Sequence, residues 1–215
     1  MSHDGYPRER LERRLRSTEL SSAYRIAALR PHPQWLTRRH LKPFAVRSVP
    51  SRFCDGTSGY AVLYAAAELE TAFLETVVRD RFVQRGQRRI ALTDVTGRGW
   101  VQFATHGKSP LRLLDIRAEG CVIVGAPTDV LRARHQAAGR AFARAIYAQH
   151  PDVDGLLYSS RLSGVNCYAV FDRALARLRE LDQGEAADLD ATGNPRAAGE
   201  GRKNYQVALL RTAND

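Results

Sequence analysis

Glu75 is a carboxylate whose predicted position would allow it to take part in chemistry. It falls in the segment ELETAFLETVVRD (residues 68–80), where apolar residues recur at helical spacing and predict one apolar helix face. At roughly 100° per residue, Glu75 lies about 60° from Ala72, at the edge of that face, where a carboxylate can reach a cleft. A carboxylate placed there could stabilise a developing positive charge. From the residues alone, however, a surface ion pair with Arg79, four positions later, is the favoured interpretation.

Common catalytic and nucleotide-binding signatures are missing from the sequence. It contains no GxxxxGK[ST] run, no GxGxxG that opens a helix after a strand, no GxSxG and no HExxH. The six histidines are scattered, so no metal site is expected. No histidine motif is present to activate a serine nucleophile. The common nucleotide-binding folds and hydrolases therefore lose support.

The elements around Glu75 predict a strand that leads directly into its helix. The short apolar segment YAVLYAA (residues 60–66) is typical of a buried strand. Further strands are predicted where apolar runs are bounded by turn residues, over residues 22–29, 88–95, 99–105, 111–116, 154–160 and 166–171. A second helix is predicted from Pro127 to about His150. This order of strands and helices is typical of an α+β domain and not of a regular βαβ array.

We expect one domain over residues 22–181, with less ordered segments on either side. Residues 1–21 are highly charged and lack an apolar stripe, which predicts a solvated arm or a partner-binding segment. A proline-rich connection over residues 31–50 is not expected to form regular structure, and it could close over a ligand. Residues 182–204 have the composition of a flexible polar segment, and residues 205–215 are expected to hold a final strand and a tail.

Composition fits one globular domain. With 215 residues, of which 44% are apolar, the chain is long enough for one substantial core and short for two. The net charge of +10 is carried almost wholly by arginine, and it would attract polyanions and small anionic ligands alike. A GC-rich genome produces the same arginine bias. Three cysteines without a CxxC pair favour a reducing cytoplasm, and we expect a cytoplasmic protein because a membrane-spanning run and a signal peptide are both lacking.

Five short motifs, taken in order, resemble the RES family, which comprises the toxins of RES–Xre toxin–antitoxin pairs. They are Arg52-Phe53 before a glycine, VLYA at residues 62–65, AFLE at residues 72–75, DGLLYSS at residues 154–160, and Asn166 with Phe171. The resemblance covers roughly residues 22–172. Family members usually show a Gly-Gly-Arg-Trp-Asn type run at the first motif, where this chain has PSRFC.

The resemblance implies a fold similar to that of ADP-ribosyltransferases, with a central β-sheet flanked by helices. It also implies a reaction that breaks the nicotinamide–ribose bond of NAD, with NAD as the substrate and no prosthetic group. Glu75 would then stabilise an oxocarbenium-like transition state. Tyr64 would stack on the nicotinamide ring or hydrogen-bond a ribose hydroxyl, unless it is an ordinary core tyrosine. Ser160 would position ribose or nicotinamide, unless it merely caps a turn.

The same resemblance implies which residues bind NAD. Tyr64, Ser160 and Asn166 would contact it, and Arg52 would hold the pyrophosphate through charge-assisted, bidentate hydrogen bonds. Because the motif around Arg52 departs from the family, two other arginines could serve instead, namely Arg25 and Arg47.

Three functions compete for this sequence. The favoured one is a toxin that degrades NAD by hydrolysis or phosphorolysis and assembles with an Xre-type antitoxin, which would cover the cleft. The second is a protein ADP-ribosyltransferase that uses the same site. The third is a basic nucleic-acid-binding module, which rests on the charge of +10 alone. No helix-turn-helix, zinc finger or aromatic stripe focuses that charge, so direct binding of nucleic acid is not expected.

Overall fold

The computed structural model describes residues 5–28, 30–32, 35–40, 44, 46, 48–57, 59–79, 89–91, 98–106, 109–127, 130, 136–185 and 208–210. The strands are β1 (Leu15–Thr18), β2 (Ala23–Ala28), β3 (Arg30–His32), β4 (Trp35–His40), β5 (Val62–Ala66), β6 (Arg89–Ala91), β7 (Arg98–Thr105), β8 (Leu111–Asp115), β9 (Gly155–Ser159), β10 (Asn166–Phe171), β11 (Leu178–Glu185) and β12 (Ala208–Leu210). The helices are α1 (Arg8–Glu12), α2 (Leu69–Phe73), α3 (Gly120–Val124) and α4 (Ala137–Gln149), with a π-helical turn at Leu74–Val78 and a 3₁₀ helix at Asp172–Arg177.

Eight of the strands form one mixed sheet in the order β1-β8-β9-β10-β5-β2-β7-β11. Neighbouring strands are antiparallel except β8 and β9, which run parallel and therefore need a crossover connection, and this connection contains α3 and α4. At the centre, β2 joins β5 through the single pair Tyr24 and Ala66. Two small ribbons lie outside this sheet, β3 with β4 and β6 with β12. The architecture confirms the predicted α+β class.

Each face of the main sheet packs against a hydrophobic core. Successive side chains of a strand point to opposite faces, so neighbouring residues of one strand belong to different cores. On one face, Tyr158 and Cys167 belong to a core that also includes the apolar sides of α2 and α4. On the other face, Leu157 and Tyr168 belong to a second core, against which Phe44 and other residues of the long connection pack. The face that carries α2 and α4 is the one that holds the candidate site.

The helix predicted over residues 68–80 changes its winding partway along. It begins as α2 and continues as the π turn, in which the Arg79 backbone N–H donates to the Leu74 carbonyl at 2.8 Å. Such π turns are rare and are often found at functional sites. The α-helical angle of about 100° per residue therefore gives only an approximate direction for the Glu75 side chain, because Glu75 lies in the π turn.

The second predicted helix is observed as α4, which ends at Gln149 close to the expected position. Its predicted first residues are Pro127, which precedes α4 in an irregular conformation, and residues 128 and 129, which lie outside the described part of the chain. The short helix α3 was not predicted. It follows β8 after residues 116–119 and is capped by Gly125, whose φ of 74° is typical of a left-handed helix terminus.

The N-terminal segment is part of the fold, which corrects the prediction of a solvated arm. Leu11 of α1 is fully buried, and β1 extends the main sheet by pairing with β8. Arg14 is also buried, and it donates hydrogen bonds to the Asp115 carbonyl at 2.9 Å and the Glu119 carboxylate at 2.9 Å. An apolar stripe is not needed here, because strand pairing satisfies the backbone whatever the side chains are.

Two other segments are more regular than predicted. The proline-rich connection contains the ribbon of β3 and β4, in which both strands are edge strands and so tolerate a proline. The flexible segment expected from residue 182 instead begins as a strand, since β11 pairs with β7 as far as Glu185. Residues 186–207 lie outside the described residues, and the final strand predicted at the C-terminus is observed as β12. In the part of the chain that the structure describes, no helix has the length and apolar character needed to cross a membrane.

Candidate functional site

A cavity of about 520 Å³ lies beside the π turn, on the face of the sheet that carries α2 and α4. This volume is within the range of small-molecule sites, which is about 300–1,000 Å³. Its lining includes one carboxylate, two tyrosines and three arginines, namely Glu75, Tyr64, Tyr158, Arg25, Arg52 and Arg79. The cavity thus brings together residues that are distant in sequence, and its charged lining is mainly cationic.

Glu75 is held by two different partners, one at each carboxylate oxygen. Its Oε1 accepts a hydrogen bond from the Ser160 hydroxyl at 2.7 Å. Its Oε2 lies 3.8 Å from Nη1 of Arg79, which is the ion pair expected from the residues alone. The Glu75 side chain is 18% exposed, so it reaches the cavity while most of it is protected from solvent. The short bond to Ser160 fixes the carboxylate more firmly than the long contact with Arg79 can.

Ser160 caps a turn and binds Glu75, but it is buried and is not among the described residues that line the cavity. Its Oγ accepts hydrogen bonds from the backbone N–H groups of Leu162 at 3.1 Å and Ser163 at 3.2 Å. With both N–H groups donating to this oxygen, the hydroxyl proton is left to point at Glu75. A second bond ties the same turn to α2, because the Ser163 and Thr71 hydroxyls lie 3.0 Å apart. The turn and the Glu75 helix are therefore joined at two points.

Tyr64 lines the cavity with its ring but uses its hydroxyl on a neighbouring loop. The hydroxyl accepts the Phe53 backbone N–H at 2.9 Å and lies 3.0 Å from Ser51 Oγ. The ring stacks on Phe53 with a centroid distance of 6.4 Å and an interplanar angle of 20°. Burial raises the pKa of Tyr64 to about 12, so the hydroxyl stays protonated at neutral pH. A stacking role for the ring fits this geometry better than a hydrogen bond to a ribose hydroxyl.

Arg52 is more buried than Arg25, the other candidate anchor for the pyrophosphate that lines the cavity. Only 9% of its surface is exposed. Burial, together with the positive charge of Arg161, lowers its pKa from the usual arginine value, while Tyr158 and Glu75 favour its charged form. A guanidinium crowded by other cations in a partly desolvated cavity favours the binding of an anion. Arg25 lines the same cavity, whereas Arg47 lies outside the described residues.

Asn166 is not brought to the cavity. It pairs with Ser159 across β9 and β10, which places its side chain on the sheet face opposite Tyr158. Its Oδ1 accepts a hydrogen bond from Arg117 at 2.7 Å, and Arg117 in turn binds the Asp115 carboxylate with two bonds of 2.9 Å. This position suits a structural role, so the predicted contact between Asn166 and NAD is not supported.

The sequence predicts Arg52 in the loop before β5, but it does not single out Ser51 of that loop or Tyr158 as parts of the site. Tyr158 is buried, lines the cavity and packs edge-to-face on Phe53 at a centroid distance of 5.3 Å. Burial raises its pKa well above the ordinary tyrosine value. The motif DGLLYSS contains this residue, and its spacing of two from Ser160 was a usable signal. No comparable signal marks Ser51, whose role depends on its contact with Tyr64.

The fold and the cavity define a class of protein, an α+β domain with one carboxylate in a cationic cleft beside its central sheet. The sequence matches the family model of the RES domain over residues 22–190, and the chain belongs to the RES family.

Two similar proteins illustrate this relationship. The probable toxin y4kH of Sinorhizobium fredii is 38% identical over 80 residues, which are 37% of this chain and 63% of the relative. The chain therefore spans somewhat less than two thirds of that relative's length. The structure is also similar to a chain in the crystal structure of the M. tuberculosis MbcT–MbcA toxin–antitoxin complex, with a TM-score of 0.60 and 14% sequence identity. The similarity covers 82% of this chain and 90% of that chain. At this identity the similarity concerns the fold.

Proposed function

We propose that this protein is the toxin of a toxin–antitoxin pair and that it degrades NAD by cleaving the nicotinamide–ribose bond. One observation carries the chemical part of the proposal, namely that Glu75 is oriented by Ser160 inside a cavity whose lining also includes three arginines. Membership of the RES family and the similarity to a probable toxin and to a chain of a toxin–antitoxin complex support the biological part.

The reaction needs a carboxylate that is held in place. When the bond between ribose C1′ and the nicotinamide nitrogen breaks, its electron pair leaves with neutral nicotinamide, and positive charge develops on the ribose. The Glu75 carboxylate would stabilise that charge, and the bond from Ser160 keeps it oriented before the reaction starts. An acceptor then bonds to C1′ on the ribosyl cation, either the phosphate dianion or water, and water releases one proton to solvent as the bond forms.

The arginines would bind the anionic part of the substrate. NAD carries two negative charges on its pyrophosphate, and a planar guanidinium can bind phosphate oxygens in a bidentate manner. Arg52 is suited to this role because it is buried and lines the same cavity as Glu75. Tyr64 would contribute its ring as a stacking surface for nicotinamide, since its hydroxyl is engaged by the loop.

An Xre-type antitoxin is the proposed protein partner, and the cytoplasm, where NAD is abundant, is the proposed compartment. By covering the cleft, the antitoxin would block access of NAD to Glu75. Purification for the assays below therefore has to include a step that removes any co-expressed partner.

The test is release of nicotinamide from NAD by the purified protein and by Glu75→Gln. The variant keeps the size of the side chain and its ability to accept the Ser160 hydrogen bond, but it removes the negative charge. We expect at least a hundredfold loss of turnover, which corresponds to about 3 kcal/mol of transition-state stabilisation. Glu68→Gln is the matched control, because Glu68 is exposed next to the same helix and should keep full activity.

Full activity in Glu75→Gln would refute the catalytic role of this residue. Labelled NAD distinguishes the acceptors in the same experiment. Free ADP-ribose indicates water, ADP-ribose 1″-phosphate indicates phosphate, and label on a macromolecule indicates protein ADP-ribosylation.

A further inference from the structure

We propose that Gly139 is a positioning residue for Arg52, and that it acts together with the Tyr64 hydroxyl to hold the Arg52 loop (residues 51–54) from two sides. The inference rests on the proposed function in one respect, which is that Arg52 binds the pyrophosphate of the substrate. What it adds is a residue on α4, far from Arg52 in sequence, that determines where the guanidinium lies.

On one side, the Arg52 loop packs against Gly139, which has no side chain. A Cβ atom at this position would lie 2.6 Å from the Arg52 carbonyl oxygen and 3.5 Å from Arg52 Cγ. It would also lie 3.3 Å from the carbonyl oxygen of Val130. The first distance is too short for any real contact, so the backbone of the loop packs directly on the helix where only glycine fits.

A glycine inside a helix needs such a reason, because glycine is a poorer helix former than every residue except proline. Gly139 is the third residue of α4 and is followed by Arg140, whose Nη1 donates to the Ser51 carbonyl at 3.4 Å. Two consecutive residues of α4 thus contact two consecutive residues of the loop. This repeated contact indicates that α4 is docked on the loop in one register.

On the other side, the Arg52 loop is bound by the hydroxyl of Tyr64. Its hydroxyl accepts the Phe53 N–H at 2.9 Å and lies 3.0 Å from Ser51 Oγ, so it contacts the residues immediately before and after Arg52. The loop is closed on itself by the bond from the Ser51 N–H to the Cys54 carbonyl at 2.7 Å. The backbone of Arg52 therefore has little freedom between β5 and α4.

The consequence concerns binding more than the chemical step. A methyl group at residue 139 would have to push the Arg52 carbonyl away by several tenths of an ångström, and the guanidinium would move with its backbone. Bidentate hydrogen bonds depend on orientation, so this displacement weakens the contact with a phosphate group. Because the pyrophosphate is remote from the bond that breaks, the loss should appear in KM and in Kd, while kcat changes little.

The experiment compares Gly139→Ala with wild type in two assays, the kinetics of nicotinamide release and the Kd for ADP-ribose by calorimetry. We expect KM and Kd to rise about tenfold, with kcat within about twofold of wild type. The control Ala148→Gly lies at an exposed position of the same helix, so it changes helix propensity without approaching the loop, and it should leave all three values unchanged.

A role that is merely structural is separated by a double-mutant cycle on kcat/KM. If Gly139 acts through Arg52, adding Gly139→Ala to Arg52→Ala has no further effect, whereas independent effects would multiply. Tyr64→Phe, which keeps the ring and removes the hydroxyl, tests the opposite side of the loop and covers the case in which Gly139→Ala does not fold. It should raise Kd in the same direction and should also lose its effect in Arg52→Ala.

Unchanged Kd in both variants, or independent effects in the cycle, would overturn the inference. Failure of the proposed function looks different, because wild type would then release no nicotinamide while the Kd for ADP-ribose still reports on Arg52. Wild type that binds no ADP-ribose would overturn the positioning role as well.

Discussion

Removing the Ser160 hydroxyl should separate the orientation of Glu75 from its charge. In Ser160→Ala the carboxylate keeps its charge and its contact with Arg79 but loses the 2.7 Å hydrogen bond that fixes it. A hydrogen bond to a charged group contributes about 1.5–3 kcal/mol. If most of that bond serves to hold the carboxylate for the transition state, kcat should fall by roughly 10- to 100-fold.

The same substitution has a calculable effect on stability. The backbone N–H groups of Leu162 and Ser163 lose their acceptor, but this turn is largely exposed and water can replace it. The turn contacts then cost about 1 kcal/mol and the lost bond to Glu75 about 1.5–3 kcal/mol, so the free energy of unfolding should fall by about 2–4 kcal/mol and Tm by roughly 5–15 °C in a chain of this size. A large loss of activity in a protein that remains folded at about 25 °C is the expected combination.

Ser159→Ala is the matched control. Ser159 precedes Ser160 in the chain and pairs with Asn166 on the neighbouring strand, so its side chain points to the other face of the sheet. Both variants would be assayed for nicotinamide release and for thermal unfolding. Ser159→Ala should keep wild-type activity. Equal losses in the two variants would refute the reasoning, since they would show that activity follows the integrity of the turn and not the bond to Glu75.

Two further predictions concern the N-terminal segment and its buried charges. Arg14→Ala removes the buried guanidinium that donates to the carbonyls of Asp115 and Arg117, although Asp115 keeps its bonds to Arg117. This change should lower the free energy of unfolding in urea by about 2–3 kcal/mol, whereas Arg16→Ala on the exposed side of β1 should cost less than about 0.5 kcal/mol. Equal effects would mean that β1 contributes only backbone pairing. Burial alone would raise the pKa of Asp115, but hydrogen bonds and charge from Arg117, with the charge of Arg14, hold this pKa below its ordinary value. A carboxylate whose pKa is lower in the folded state adds stability above the unfolded pKa of about 3.9, and this stability is lost as the pH falls through the folded pKa. Asp115→Asn should therefore lose less stability than wild type on acidification below about pH 4. Parallel profiles of stability against pH for the two proteins would contradict this.

The sequence predicts the site better where the signal is local. The apolar run that becomes β5 and the helical spacing after it place Tyr64 and Glu75 near each other, since a strand that leads directly into a helix leaves few arrangements. The π turn at Glu75 has no such signal, because it depends on how α2 meets the turn of Ser160. The same limit applies to Gly139, which reads as a weak point in a helix until its contact with Arg52 is known.

Long-range strand pairing explains the main errors. The charged N-terminal residues and the polar residues after 182 lack any apolar pattern, yet both pair with edges of the sheet and become β1 and part of β11. Asn166 was misplaced for a related reason. Whether its side chain shares a face with Tyr158 depends on the register between β9 and β10, and a shift by one residue would reverse the answer.

The two interpretations of Glu75 that the sequence left open are compatible in the structure. Arg79 does form the i,i+4 contact, but at 3.8 Å it contributes little fixed geometry, and the carboxylate remains partly open to the cavity. What makes Glu75 suited to chemistry is supplied from elsewhere in the chain, because the turn at Ser160 binds it and is itself tied to α2 through Thr71 and Ser163. The orientation of the Glu75 carboxylate therefore depends on Ser160 and not on the distant contact with Arg79.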